Sequence, residues 1–197
     1  MALMTPEQFE ESLKQMKPRV YMNGKKVENV LDNPNTRTVV ESNKASYGWA
    51  LDPKYKDVMS CYSSLIDGMV NRYTHVSAST EDLVRKAEAV TFTAERLGTC
   101  IYRCVGYDAF HALASTTWEM DQELGTPYHS RFMEFLKTVQ EKDLSVAGAL
   151  TEPRGRRDKK TLDWPDPYLS QKVVEKNEKG IVVRGCQDQH QRSFCEP

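Results

Sequence analysis

Apolar residues recur with a helical period over much of the first 142 residues and then give way to alternation. Thr5-Pro6-Glu7-Gln8 predicts a helix start: Thr5 caps, Pro6 fits the first turn, and Gln8 closes a capping box. Phe9, Leu13 and Met16 then fall on one face. Val20 to Val27 predicts a hairpin about Asn23-Gly24, a pair that tolerates the positive φ of a two-residue turn. A helix is expected from Pro34 to about Leu51, punctuated by Asp52-Pro53, with a helical or irregular piece continuing to about Met69. Ser79-Thr80-Glu81-Asp82 is a strong helix start, with acids at the positive end of the dipole. Leu83 to Leu124 reads as two helices or one bent helix, with Gly98 and Gly106 as soft points. Gly125 closes it, and Thr126-Pro127 opens a further helix to about Lys142, apolar at Phe132, Phe135, Leu136 and Val139.

Beyond that helix the pattern changes. Leu144 to Leu150 is a short apolar run, followed by a Pro/Gly-broken basic loop, Thr151-Glu152-Pro153-Arg154-Gly155-Arg156-Arg157. Tyr168 to Glu175 and Ile181 to Arg184 read as strands joined by Lys176 to Gly180. Two strands and a partial third do not bury a sheet face, so this second region reads as unfinished. The expected organisation is α+β: a helical domain over 1–142, the start of a β domain over 143–185, and a tail over 186–197.

Composition narrows the function classes. In 197 residues the formal charge is -1, so no strong field draws the chain to nucleic acid or an anionic membrane. No apolar run approaches the roughly 18 residues of a membrane span, and no signal-like segment opens the sequence. A cytoplasmic setting is expected, in which the five cysteines are unbridged, catalytic or metal-bound.

Only Cys100-Ile-Tyr-Arg-Cys104 forms a cysteine pattern. On a helix, an i, i+4 spacing places both sulfurs on one face, where they can share a metal centre. The spacing also suits two small buried core residues. Arg96 and Arg103 either offset thiolate charge or face solvent; Tyr102 and Tyr107 either donate hydrogen bonds or pack. His111, about two turns past Cys104, reads as a satisfied core or interface histidine ahead of a third ligand. The basic loop after Leu150 suits a pyrophosphate as well as a solvated surface.

Several stretches resemble the 4-hydroxyphenylacetate 3-hydroxylase superfamily. Arg19 to Glu28 resembles its opening. Cys100 to Phe110, Ser115 to Gln122, Gly125 to His129, Thr151 to Gly155 and Val174 to Gly185 are similar to its 4-hydroxybutyryl-CoA dehydratase (vinylacetyl-CoA Δ-isomerase) branch. The cysteine pair separates that branch from the hydroxylases. The resemblance covers residues 3 to 185 and implies an acyl-CoA dehydrogenase-like fold, a homotetramer, FAD and a [4Fe-4S] cluster. It implies a lyase with isomerase activity that converts 4-hydroxybutyryl-CoA to crotonyl-CoA, through a flavin radical with the cluster as Lewis acid.

By resemblance, Cys100 and Cys104 correspond to two cluster ligands, with a histidine and a further cysteine supplied from outside this sequence. FAD contacts fall on Leu150, Thr151, Glu152, Pro153, Arg154, Gly155, Arg156 and Arg157. His190 stands near an expected flavin-binding histidine but in foreign context. Asn71, Arg72, Tyr73 and His75 fall in a region that lines the substrate channel in relatives. The loss of similarity after Gly185 reads as a frameshift or gene fragment, inactive alone, ahead of a natural variant whose tail replaces the rest of the domain. Two other readings remain: an FAD-dependent aromatic hydroxylase with packing cysteines, and a non-catalytic helical interaction module.

Overall fold

A computed structural model describes residues 3–98, 101, 103–146, 148, 158–160, 163–166 and 168–186. The architecture is mostly helical with small antiparallel sheets. Two compact units are formed, Met1–Tyr21 with Lys25–Ala147 and Met22–Gly24 with Gly148–Pro197.

Helix α1 (Pro6–Met16) starts with the expected capping box: Thr5 Oγ1 accepts from the Gln8 amide, and the Gln8 side chain accepts from the Thr5 amide. Its buried face is narrower than the periodicity predicts. Phe9 is buried and Leu13 partly so, whereas Met16 is 68% exposed because the helix ends there, at a left-handed Lys17. Strands β1 (Val20–Met22) and β2 (Lys25–Val27) form the expected hairpin, with Asn23 and Gly24 both at positive φ. Helix α2 (Pro34–Leu51) is capped by Asn33, whose side chain accepts from the Asn35 amide.

The stretch after Pro53 departs from expectation. It holds a single turn, α3 (Lys56–Met59), then a hairpin of β3 (Ser60–Ser63) and β4 (Gly68–Asn71), then a 3-10 turn over Arg72–Thr74. Asp67, at φ 48, makes the bend that a continuing helix would not allow.

Helices α4 (Thr80–Leu97) and α5 (Arg103–Leu124) are separate. Ser79 caps α4 and Gly98 ends it in the left-handed conformation. Gly106 is no soft point. It lies inside α5, where a β-carbon would stand 2.0 Å from the Val146 carbonyl oxygen. Helix α6 (Tyr128–Glu141) buries Phe132, Leu136 and Val139, while Phe135 stays 47% exposed at the edge of that stripe. Among the described residues, the first unit's core has three clusters, centred on Met59, Tyr73 and Tyr107, on Phe110 and Leu136, and on Phe9 and Tyr47.

In the second unit, β5 (Lys172–Asn177) pairs antiparallel with β6 (Gly180–Arg184) about the expected turn. Every residue of both strands is exposed. Among the described residues, no helix is long and apolar enough to cross a membrane.

Candidate functional site

The chemistry-bearing side chains of the first unit gather along the start of α5. Cys104, Tyr107 and His111 lie at i, i+3 and i+7, which aligns them on one face. Helix α5 begins at Arg103, and Ile101 precedes it in non-helical backbone. With Ile101 non-helical, a single continuous helix through positions 100 and 104 is not formed. Cys100 itself lies outside the described residues.

Cys104 is half-buried and packs against the Met59–Tyr73–Tyr107 cluster. It stands in the first turn of α5, which carries no acidic residue. The positive end of a helix favours a thiolate, so the donor chemistry suits a ligand to iron. Among the described residues, no three His, Cys, Asp or Glu side chains converge on a metal-sized space.

Arg103 does not face solvent; its side chain is 1% exposed and paired with Asp143 at 3.2 Å. Arg96 instead stacks over Phe92 at 3.5 Å and over Tyr55 at 5.2 Å. Tyr107 is buried, and its hydroxyl meets Ser77 Oγ at 3.0 Å. Burial raises its pKa; the Ser77 hydroxyl works against that rise. Tyr102 lies outside the described residues.

His111 is fully engaged. Nε2 accepts from the Ser77 amide at 2.8 Å, which leaves Nδ1 to donate to the Tyr107 carbonyl at 2.8 Å. The neutral Nδ1–H tautomer satisfies both bonds. The ring is satisfied at both nitrogens and half-buried.

His75 Nε2 stands 3.7 Å from Asp82 Oδ1. Burial lowers the histidine's pKa and outweighs the pull of that carboxylate. Burial raises the Asp82 pKa, but the Ala78 amide and the Ser79 hydroxyl bring it below its ordinary value. Cys61 is pushed up to about 11 by burial, against the opposing charge of Arg72. Asn71, Arg72 and Tyr73 are all buried. Arg72 donates to the carbonyls of Val58 (2.6 Å), Asp57 (3.0 Å) and Ser60 (2.8 Å), and Tyr73 to Thr93 Oγ1 at 2.9 Å.

The expected FAD contacts Leu150, Thr151, Glu152, Pro153, Arg154, Gly155, Arg156 and Arg157 lie outside the described residues, as does His190. What sequence reasoning missed is the Arg103–Asp143 pair. The partners are 40 residues apart, and no local pattern signals that either is buried.

The fold, mostly helical with small antiparallel sheets, is that of the N-terminal region of a known protein family. The family model for the 4-hydroxyphenylacetate 3-hydroxylase N terminal matches residues 5–191, and the chain belongs to that family. Within it, the chain is 45% identical over 183 residues to the 4-hydroxybutyryl-CoA dehydratase/vinylacetyl-CoA-Δ-isomerase of Clostridium aminobutyricum, covering 93% of this chain. It is 30% identical, over 92% of its length, to the oxygenase component of 4-hydroxyphenylacetate 3-monooxygenase of Thermus thermophilus. The chain spans 37% of the length of each of these two relatives.

Among solved structures, an oxygen-tolerant archaeal 4-hydroxybutyryl-CoA dehydratase from N. maritimus superposes with TM-score 0.85 at 37% identity, over 93% of this chain and 36% of that one. The oxygenase component of 4-hydroxyphenylacetate 3-monooxygenase, complexed with FAD and 4-hydroxyphenylacetate, superposes with TM-score 0.75 at 27% identity, over 92% of this chain and 37% of that one.

Proposed function

We propose that this chain forms the N-terminal helical part of a 4-hydroxybutyryl-CoA dehydratase-type active site. On this reading Cys100 and Cys104 hold one side of a [4Fe-4S] cluster, and residues 150–157 contact FAD. The substrate is an acyl-CoA, and the working assembly is a homotetramer. The observation that carries the reading is the gap between relatives: 45% identity to a dehydratase against 30% to a monooxygenase. The superpositions run the same way, 0.85 against 0.75.

The chain's own residues would bind and orient. The first turn of α5 presents the Cys104 sulfur, and the Ser77–Tyr107–His111 bonds stiffen the face beside it. Arg154, Arg156 and Arg157 would neutralise the flavin pyrophosphate. When bound, flavin and cluster supply the redox and Lewis-acid chemistry that removal of a non-acidic β-hydrogen requires.

A chimera tests this. The matched 183 residues of the Clostridium aminobutyricum dehydratase are replaced by those of this chain, with anaerobic iron reconstitution. The expected product retains cluster absorbance and forms crotonyl-CoA from 4-hydroxybutyryl-CoA. A Cys104→Ala version loses the cluster. A folded, flavin-loaded chimera that keeps its cluster without Cys104 overturns the ligand assignment; one that hydroxylates 4-hydroxyphenylacetate instead overturns the branch.

A further inference from the structure

Arg103 directly precedes Cys104, yet its side chain engages other groups. Nη1 donates to Ser46 Oγ at 2.9 Å and Nη2 to Asp143 Oδ1 at 3.2 Å. The guanidinium also lies 4.5 Å from the Tyr47 ring centroid and 5.7 Å from that of Tyr73. Asp143 uses its second oxygen to accept from the Met4 amide at 3.0 Å, and its backbone carbonyl accepts from the Tyr47 hydroxyl at 3.2 Å. Arg103 and Asp143 are both 1% exposed.

One fork thus ties the first residue of α5 to α2 and to the segment that follows α6. Three residues on, the same segment meets α5 again, where Gly106 leaves room for the Val146 carbonyl. The first turn of α5 is therefore held at two points, on either side of Cys104, by residues 143–146. A buried ion pair is a poor device for stability alone, since apolar residues of like volume usually serve as well or better. A rigid planar fork does fix direction. The Tyr73 ring carries that constraint onward, lying beside the guanidinium and within the cluster that packs Cys104.

We infer that Arg103 and Asp143 are positioning residues for the Cys104 sulfur. They set the start and the rotation of the first turn of α5, and so the place of the thiolate relative to its fellow ligands. This rests on the reading of Cys104 as a metal ligand. It assigns the pair an effect on metal affinity separate from its effect on folding.

The test uses the 197-residue chain with Cd²⁺ as the probe, read by sulfur-to-cadmium charge-transfer absorbance. A Cys104→Ser chain serves as the reference, and thermal melts run in parallel. The double variant Arg103→Met/Asp143→Leu removes the fork without leaving a lone buried charge. It is expected to melt near the parent chain but to bind Cd²⁺ about ten- to a hundredfold more weakly at the Cys104-dependent site, the usual effect of losing support behind a metal ligand. Should it not fold, Arg103→Lys decides, since it keeps the charge and loses the fork; the same weakening is expected. Unchanged Cd²⁺ affinity in either folded variant overturns the positioning role and leaves the pair as packing. A parent chain with no Cys104-dependent band overturns the ligand reading, and the positioning role with it.

Discussion

The carbonyl oxygen of Val146 lies 2.0 Å from the point where a β-carbon on Gly106 would stand, and the carbonyl carbon lies 2.7 Å from it. Alanine is ordinarily the better residue inside a helix, by about 1 kcal/mol. Here the sign reverses, because the obstacle is backbone rather than the end of a flexible side chain. Gly106→Ala should destabilise the chain by about 2–3 kcal/mol, a strong overpacking effect. Urea denaturation followed by circular dichroism measures it. A stability gain would show that the 143–146 segment moves aside without cost.

Arg72 gives a second expectation. It is buried and holds three carbonyls at the end of α3 and the start of β3. Arg72→Met leaves those carbonyls unpaired, at a cost of about 2–4 kcal/mol. The denaturation midpoint should fall with little change in slope. A loss below about 0.5 kcal/mol, the level of an ordinary surface change, would mean that water reaches these groups.

Cys61 should be slow to alkylate. With its pKa raised to about 11 by burial, little thiolate exists near neutral pH. Against an unfolded thiol near 8.5, the thiolate fraction at pH 8 falls by on the order of a hundredfold. Iodoacetamide labelling with peptide mapping, native against urea-unfolded, reads the ratio directly. Equal rates in the two states would contradict the burial.

His75 sets a pH dependence. Its folded pKa is below the ordinary value near 6.5, so the unfolded chain takes up the proton more readily. Its contribution to stability is complete above that value and is lost as pH falls through the lower folded pKa. Asp82 pulls the other way, while the charge of Arg72 adds to the lowering. Stability should decline as pH falls below the ordinary histidine value near 6.5, and His75→Gln should flatten the decline. An identical slope in the variant would assign the effect elsewhere.

The turn and cap chemistry was legible in the sequence. Thr5–Gln8, Asn23–Gly24, Ser79, Gly98 and Gly125 each act through groups a few residues away, and the chain writes such signals locally. The hairpin of β3 and β4 was not legible. Cys61-Tyr62-Ser63 lacks clear alternation, and only Asp67-Gly68 marks the turn. Arg103 was misread for a related reason. Its burial depends on Ser46 and Asp143, 57 and 40 residues away. The cysteine pair drew attention through a spacing that presumed a continuous helix, yet α5 begins only at Arg103. Cys104 keeps its interest through its place at the head of that helix.

Asp143 also bears on how the molecule is made. Its bonds to Met4, Tyr47 and Arg103 span 139, 96 and 40 residues of sequence. Helix α1 has 11 residues, short of the roughly 12–15 that persist unaided. At ribosomal speeds of roughly 5–20 residues per second, the aspartate follows α1 out of the ribosome by on the order of ten seconds. During that interval Phe9 of α1 has Val40 and Tyr47 of α2 to pack on, but the Met4 amide and the Tyr47 hydroxyl still lack their partner. The residue that locks the head of α5 also completes the bonds of the N-terminal segment, so these contacts are finished only after residue 143 has emerged.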